Sequence, residues 1–210
     1  MLGRQAGISS RNALALLLHR RDKRAPAGYF GSVMPRLFTG LELPKTLATE
    51  LSLMRGGLSG ARWIDVENYH LTLRFIGDVD ERTAREVHSV LDGIRRAPFT
   101  VTLDRLDAFG GDRPRAIVAA ARPSAPLVEL QAEQERLIRR IGLPAETRKF
   151  APHVTLARLR QASSMAVANY LSLRGWLSSL AFEVDHFTLF SSRDSVGGGP
   201  YVAEAVYQLQ

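Results

Sequence analysis

The chain has 210 residues, of which 45% are hydrophobic and 23% charged, with a formal net charge of +7 and no cysteine. This length suffices for one domain or two small lobes around a buried core. The missing thiols exclude disulfides, thiolate nucleophiles and cysteine-ligated zinc and fit a reducing, cytoplasmic compartment, and no apolar run approaches the ~20 residues of a membrane-spanning helix. The charge is uneven: Arg4, Arg11, Arg20, Arg21, Lys23 and Arg24 against Asp22 leave +5 in residues 1–33 and only +2 in the remaining 177. A high pI that comes from one end is weak evidence that the folded body binds nucleic acid. Residues 1–33 read as a flexible basic extension, and 34–210 as the folded domain, starting at Met34.

In chain order, Arg36–Leu43 reads as a first strand stopped by Pro44. Leu47, Leu51, Met54 and Leu58 follow at helical spacing. Short strands are expected over Arg62–Val66 and Tyr69–Ile76, with a turn at Glu67-Asn68. Asp80 is placed to cap a helix whose inner face is Val87, Val90, Leu91 and Ile94. Phe99–Leu106 alternates like a half-buried strand, Gly110–Pro114 is a loop, and Ala116–Ala121 a further strand. Leu127, Leu130, Gln134, Leu137, Ile138 and Ile141 mark an amphipathic helix ended by Gly142 and Pro144. Ala151–Leu159 is the next strand, followed by a helix through Val167, Tyr170 and Leu171. Leu180–Phe190 and Tyr201–Leu209 close the chain as strands around a glycine loop at 197–200. The order predicts an α+β fold with helices outside antiparallel sheets.

Two segments nearly repeat: His70-Leu71-Thr72-Leu73-Arg74 and His153-Val154-Thr155-Leu156-Ala157-Arg158. Residues two apart on a strand share a face, so each segment offers an imidazole and a hydroxyl side by side. The doubled strand suggests two similar lobes with a cleft between them. One neutral and one protonated imidazole across a cleft suit acid and base catalysis near pH 7. In the opening of a cyclic phosphodiester by water, the threonine hydroxyls would donate to the non-bridging phosphate oxygens, and no metal is required. Either tripeptide alone would more often be a core histidine beside a strand-forming threonine.

Tyr69–Gly77 and Ala151–Arg158 resemble the paired motifs of the 2H phosphoesterase superfamily. They are most similar to the RNA 2′,3′-cyclic phosphodiesterases, also called 2′-5′ RNA ligase or LigT-like proteins. The opening strand with Leu41-Glu42-Leu43-Pro44, Trp63 before Glu67-Asn68, and Phe190-Ser191-Ser192 before Tyr201 extend the likeness. The resemblance implies a bilobal fold of two antiparallel sheets with outer helices flanking a central cleft. It also implies metal- and cofactor-free hydrolysis of RNA 2′,3′-cyclic phosphate ends to 2′-phosphates. By that analogy His70 is the general acid and His153 the general base, while Thr72, Thr155 and Arg158 hold the phosphate. Thr39-Gly40 and Ala119-Ala120 depart from the usual pattern, where larger or aromatic residues are common.

Beyond the pair, Arg74 shares the parity of His70 and Thr72 and is a further phosphate candidate, with a surface ion pair as the plainer reading. Arg158 has the wrong parity on an ideal strand and reaches the cleft only if the strand ends or bulges. Phe75 and Phe190 are candidates to stack on a nucleobase, with core packing the rival for Phe75. His186, in a third His-x-Thr, reads as a strand residue lining the cleft, His88 as helical and solvent-facing. The expected partners are RNA with cyclic phosphate ends or small cyclic nucleotides, no membrane, and by default a monomer. The rival functions are a phosphodiesterase for another cyclic or 2′-5′-linked nucleotide, a non-catalytic RNA-end binder and, more remotely, a zinc enzyme.

Overall fold

A computed structural model describes residues 36–174, 177–192 and 201–210. The basic extension 1–33, Met34 and the glycine loop at 197–200 lie outside these residues. The described elements are β1 (Arg36–Glu42), α1 (Lys45–Ser52), β2 (Ala61–Trp63), a 3₁₀ turn (Val66–Asn68), β3 (His70–Asp78), α2 (Glu81–Leu91), β4 (Phe99–Phe109), β5 (Ala116–Ala121), α3 (Ala125–Arg140), β6 (His153–Leu159), α4 (Ser164–Arg174), β7 (Leu180–Val184), β8 (His186–Ser192) and β9 (Tyr201–Gln208).

The strands form one antiparallel sheet ordered β7-β4-β5-β6-β3-β1-β8-β9, with β2 added beside β6. The two sheets expected from the sequence are thus two halves of one hydrogen-bonded sheet. They meet at β3 and β6 through Leu71↔Val154 alone among the described pairs. The expected strand Leu180–Phe190 is also two strands. β7 pairs with β4, β8 pairs with β1, and only Asp185 stands between them. One residue spans about 3.8 Å, so the two ends of the sheet must curl toward each other.

The helices pack on the face opposite the histidines. α3 follows its predicted stripe, with Leu127, Leu130, Gln134 and Ile138 buried, and Arg139 and Arg140 in its last turn suit the negative end of the helix dipole. The polar member of that stripe has a partner: the Thr39 hydroxyl of β1 donates to Gln134 Oε1 at 2.6 Å, with both side chains fully buried. Asp80 caps α2 as expected, its carboxylate accepting from the Thr83 N–H at 2.7 Å. Leu71, Val154 and Leu156 are wholly buried in the shared core, each contributing roughly 1.5–3 kcal/mol through burial.

Candidate active site

His70 and Thr72 on β3, and His153 and Thr155 on β6, are half-buried between fully buried neighbours. This is the alternation their spacing demands. Carried one residue either way from Leu71↔Val154, the antiparallel register sets His70 opposite Thr155 and Thr72 opposite His153. Each histidine therefore faces the other motif's threonine, and the imidazoles lie diagonally across the seam.

Both rings are held in the same way. His70 Nδ1 donates to the Asn68 carbonyl at 2.8 Å, and His153 Nδ1 to the Ala151 carbonyl at 2.7 Å. A carbonyl can only accept, so Nδ1 carries the proton in each and Nε2 is left for chemistry. Burial pushes the His70 imidazole down to about 4, against the raising effect of its Asn68 hydrogen bond. The charges of His153 and Arg158 depress it further. His153 is lowered too, first by burial and then by Arg158, while its Ala151 hydrogen bond opposes the shift. Arg158 thus lies within electrostatic reach of both imidazoles.

A β-bulge in each motif explains where the arginines go. On β3, Gly40 pairs with Thr72 but Thr39 pairs with Arg74, so Leu73 is an extra residue. On β6, Val118 pairs with Thr155 but Ile117 pairs with Ala157, so Leu156 is extra. Each bulge flips the parity of the residues after it. Arg158 is thereby restored to the face of His153 and Thr155, where it is exposed. Arg74 is turned to the opposite face, 6% exposed, where it forms an ion pair with Glu135 of α3 and donates to the carbonyls of Phe75 and Pro144. The expectation that Arg74 meets phosphate is therefore corrected. It ties β3 to α3 and to the segment that leads into His153.

The same flip brings Phe75 onto the cleft face. It is 45% exposed, its ring 5.5 Å from Phe38. Phe190 is the reverse case. It is buried and stacked on Phe38 at 5.1 Å, with its ring 5.8 Å from His70. Its faces belong to the floor of the site, so the expected stacking on a base is corrected for this residue. His70 also meets Phe38 at 4.9 Å and, edge-on, Tyr201 at 5.0 Å. Gly40 makes this crowding feasible, because a Cβ there would stand 3.0 Å from the Leu71 carbonyl and 3.4 Å from His70 Cδ2.

Sequence reasoning missed Phe109, whose ring meets His153 edge-on at 4.6 Å. The cause is a register shift between Leu103 and Arg105 on β4, which broke the alternation and hid the strand's continuation to Phe109. In the sequence Asn68 marks only a turn. Its carbonyl fixes His70, and its side-chain oxygen accepts from the Tyr201 N–H at 3.3 Å.

His186 shares the face of Thr188 and Phe190 but pairs with Asp185 at 2.5 Å. The hydroxyl of Thr188 donates to Glu42 Oε1 at 2.9 Å. His88, expected to face solvent, is half-buried, its Nδ1 2.7 Å from the Tyr207 hydroxyl. Among the described residues, no group of three or more His, Asp or Glu side chains converges as a metal site, and no helix is long and apolar enough to cross a membrane.

Residues 45–195 match the model of a family described as the 2′-5′ RNA ligase superfamily. Curated relatives called RNA 2′,3′-cyclic phosphodiesterase include one from Aeropyrum pernix, 39% identical over 104 residues, which are 49% of this chain and 59% of that protein. Another, from Escherichia coli strain K12, is 31% identical over 170 residues, or 79% of this chain and 92% of that protein. The crystal structure of E. coli LigT complexed with 3′-AMP superposes with a TM-score of 0.66 at 26% identity, covering 84% of this chain and 98% of that one. The fold is shared also with TT0787 of Thermus thermophilus, with a TM-score of 0.70 at 22% identity over 83% of this chain and 97% of that one.

Proposed function

The chain belongs to the 2′-5′ RNA ligase superfamily, and from that premise we propose that it hydrolyses RNA 2′,3′-cyclic phosphate ends to 2′-phosphates with two histidines and no metal. Curated relatives carry the name of this activity. The observation that carries the mechanism is the matched pair of imidazoles, each tethered through Nδ1 to a carbonyl two residues back, with no hydrogen bond to Nε2 among the described residues.

In the reaction, His153 Nε2 takes a proton from water as its oxygen attacks phosphorus. The bond from phosphorus to O3′ breaks, and His70 Nε2–H protonates the departing O3′. Thr72 and Thr155 donate to the non-bridging oxygens, whose charge grows in the transition state, and Arg158 neutralises it. Phe75 offers its exposed ring to the base. His70 must be protonated to act as acid, although its ring titrates near 4 in the free enzyme. The anionic phosphate bound between the rings supplies the opposite charge that raises it. By microscopic reversibility the same site can join a cyclic end to a 5′-hydroxyl as a 2′-5′ linkage.

One observation favours exchanged roles for the histidines. Of the pair, His70 is the one driven down to about 4, which suits a base, leaving His153 as the acid. A substrate whose 3′ bridging atom is sulfur needs no protonation on leaving, so it rescues the variant that lacks the acid and not the one that lacks the base.

The reading is tested by incubation with a nucleoside 2′,3′-cyclic monophosphate and chromatographic identification of the product. A 2′-phosphate is expected. A 3′-phosphate would place the chain with another phosphodiester chemistry, and no product would favour an RNA-end binder.

A further inference from the structure

Arg62 of β2 stands directly opposite Arg158 of β6 in the antiparallel register. Directly opposed residues share a face, with Cβ atoms about 5 Å apart. The neighbours fix which face. Trp63 turns toward α4 and meets Tyr170 at 5.9 Å, and Ala157 and Leu159, which flank Arg158, are buried. Arg62 and Arg158 are both exposed, and Arg158 acts electrostatically on both imidazoles. Arg62 and Arg158 thus stand side by side at one end of the cleft, beyond the facing pair of His70 and Thr155.

The register that brings them together is enforced by the backbone. Gly60 precedes β2 with φ of +77°, and a Cβ there would lie 2.4 Å from the Arg160 carbonyl. The Arg160 N–H donates to the Gly60 carbonyl at 2.8 Å. One phosphate between the histidines engages Arg158. Arg62 lies to the side of it, where a second anion tied to the first would fall.

We propose that Arg62, with Arg158, forms a second phosphate subsite, which takes the 5′-phosphate of the nucleotide that carries the cyclic phosphate. This rests on the hydrolytic reading above and narrows its substrate class: the site is built for the end of a strand rather than for a free nucleoside cyclic phosphate. Arginine suits the task because its planar fork binds phosphate oxygens in pairs.

The test compares two substrates, a nucleoside 2′,3′-cyclic phosphate and the same molecule with a 5′-phosphate, in the full chain and in Arg62→Gln. Each protein's turnover of the nucleoside substrate is its own reference. The expected result is a preference in kcat/KM for the 5′-phosphorylated substrate that falls by about fivefold to tenfold in Arg62→Gln, and less in Arg62→Lys. Arg82→Gln, an exposed change on α2 remote from the cleft, keeps the preference. An equal preference in the parent and Arg62→Gln overturns the subsite.

Calorimetric binding of a nucleoside 2′-phosphate with and without a 5′-phosphate reads the subsite independently of turnover. A 5′-phosphate advantage that depends on Arg62 supports the subsite even if neither cyclic substrate is cleaved, which would sink the parent reading alone. Binding that ignores the 5′-phosphate overturns the subsite.

Discussion

Leu71 of β3 and Val154 of β6 form the single described backbone pair that joins the two halves of the sheet, and both side chains are fully buried. Each lies between a histidine and a threonine of its own strand. The seam between the lobes is therefore also the centre of the candidate site.

If the two imidazoles carry acid and base roles, His70→Ala and His153→Ala should each lower turnover of a cyclic nucleotide by about 10²- to 10⁴-fold while circular dichroism and melting remain those of a folded protein. Near-parental rates in both variants would refute the assignment. Turnover should persist in excess EDTA, and a strict metal requirement would redirect the mechanism.

The bulges separate two arginines that look alike in the sequence. Arg74→Met leaves Glu135 without its buried partner and should destabilise the fold by about 3–5 kcal/mol in chemical denaturation. Replacing Glu135 as well, in Arg74→Met/Glu135→Leu, should restore much of that loss. Arg158→Met should instead leave the melting temperature nearly unchanged and weaken phosphate binding. The opposite pattern would mean that the strand faces have been misassigned.

Gly40→Ala tests the crowding around His70. The new methyl would press on the Leu71 carbonyl at 3.0 Å and touch the His70 ring at 3.4 Å, so a small shift of the β3 backbone there disturbs the hydrogen bond that holds the ring to Asn68. The expected outcome is a fall in kcat of about tenfold or more with a stability loss of about 1–3 kcal/mol. An unchanged kcat would show that the imidazole has slack.

The buried His70 ring makes stability depend on pH. Its folded value of about 4 lies below the unfolded value of about 6.5, so between these limits the unfolded chain binds more protons. Stability is full above about pH 6.5 and is lost as the pH falls toward 4, by at most about 3 kcal/mol. His70→Asn should flatten that part of the profile. Added phosphate, which raises the ring's affinity for a proton, should shrink the loss in the parent protein. A parent profile that is flat over this window would contradict the enclosed ring.

The cleft-facing pairs are legible in the linear order of residues. His70 with Thr72 and His153 with Thr155 follow from strand parity, which needs only local backbone geometry. Equally legible are the stripe of α3 and the cap at Asp80, both set by contacts within a few residues. Where the arginines and aromatics point depends on strands brought together from far apart in the chain. Leu73 and Leu156 become bulges only when a neighbouring strand of fixed register lies beside them, and that pairing sends Arg74 under the sheet and Arg158 over it. Phe109, Phe75 and Phe190 were sorted in the same way, because their exposure depends on rings and strands supplied from distant parts of the chain. Local periodicity carries no record of a long-range register, so two nearly identical segments could keep their histidines aligned and exchange the fates of their arginines.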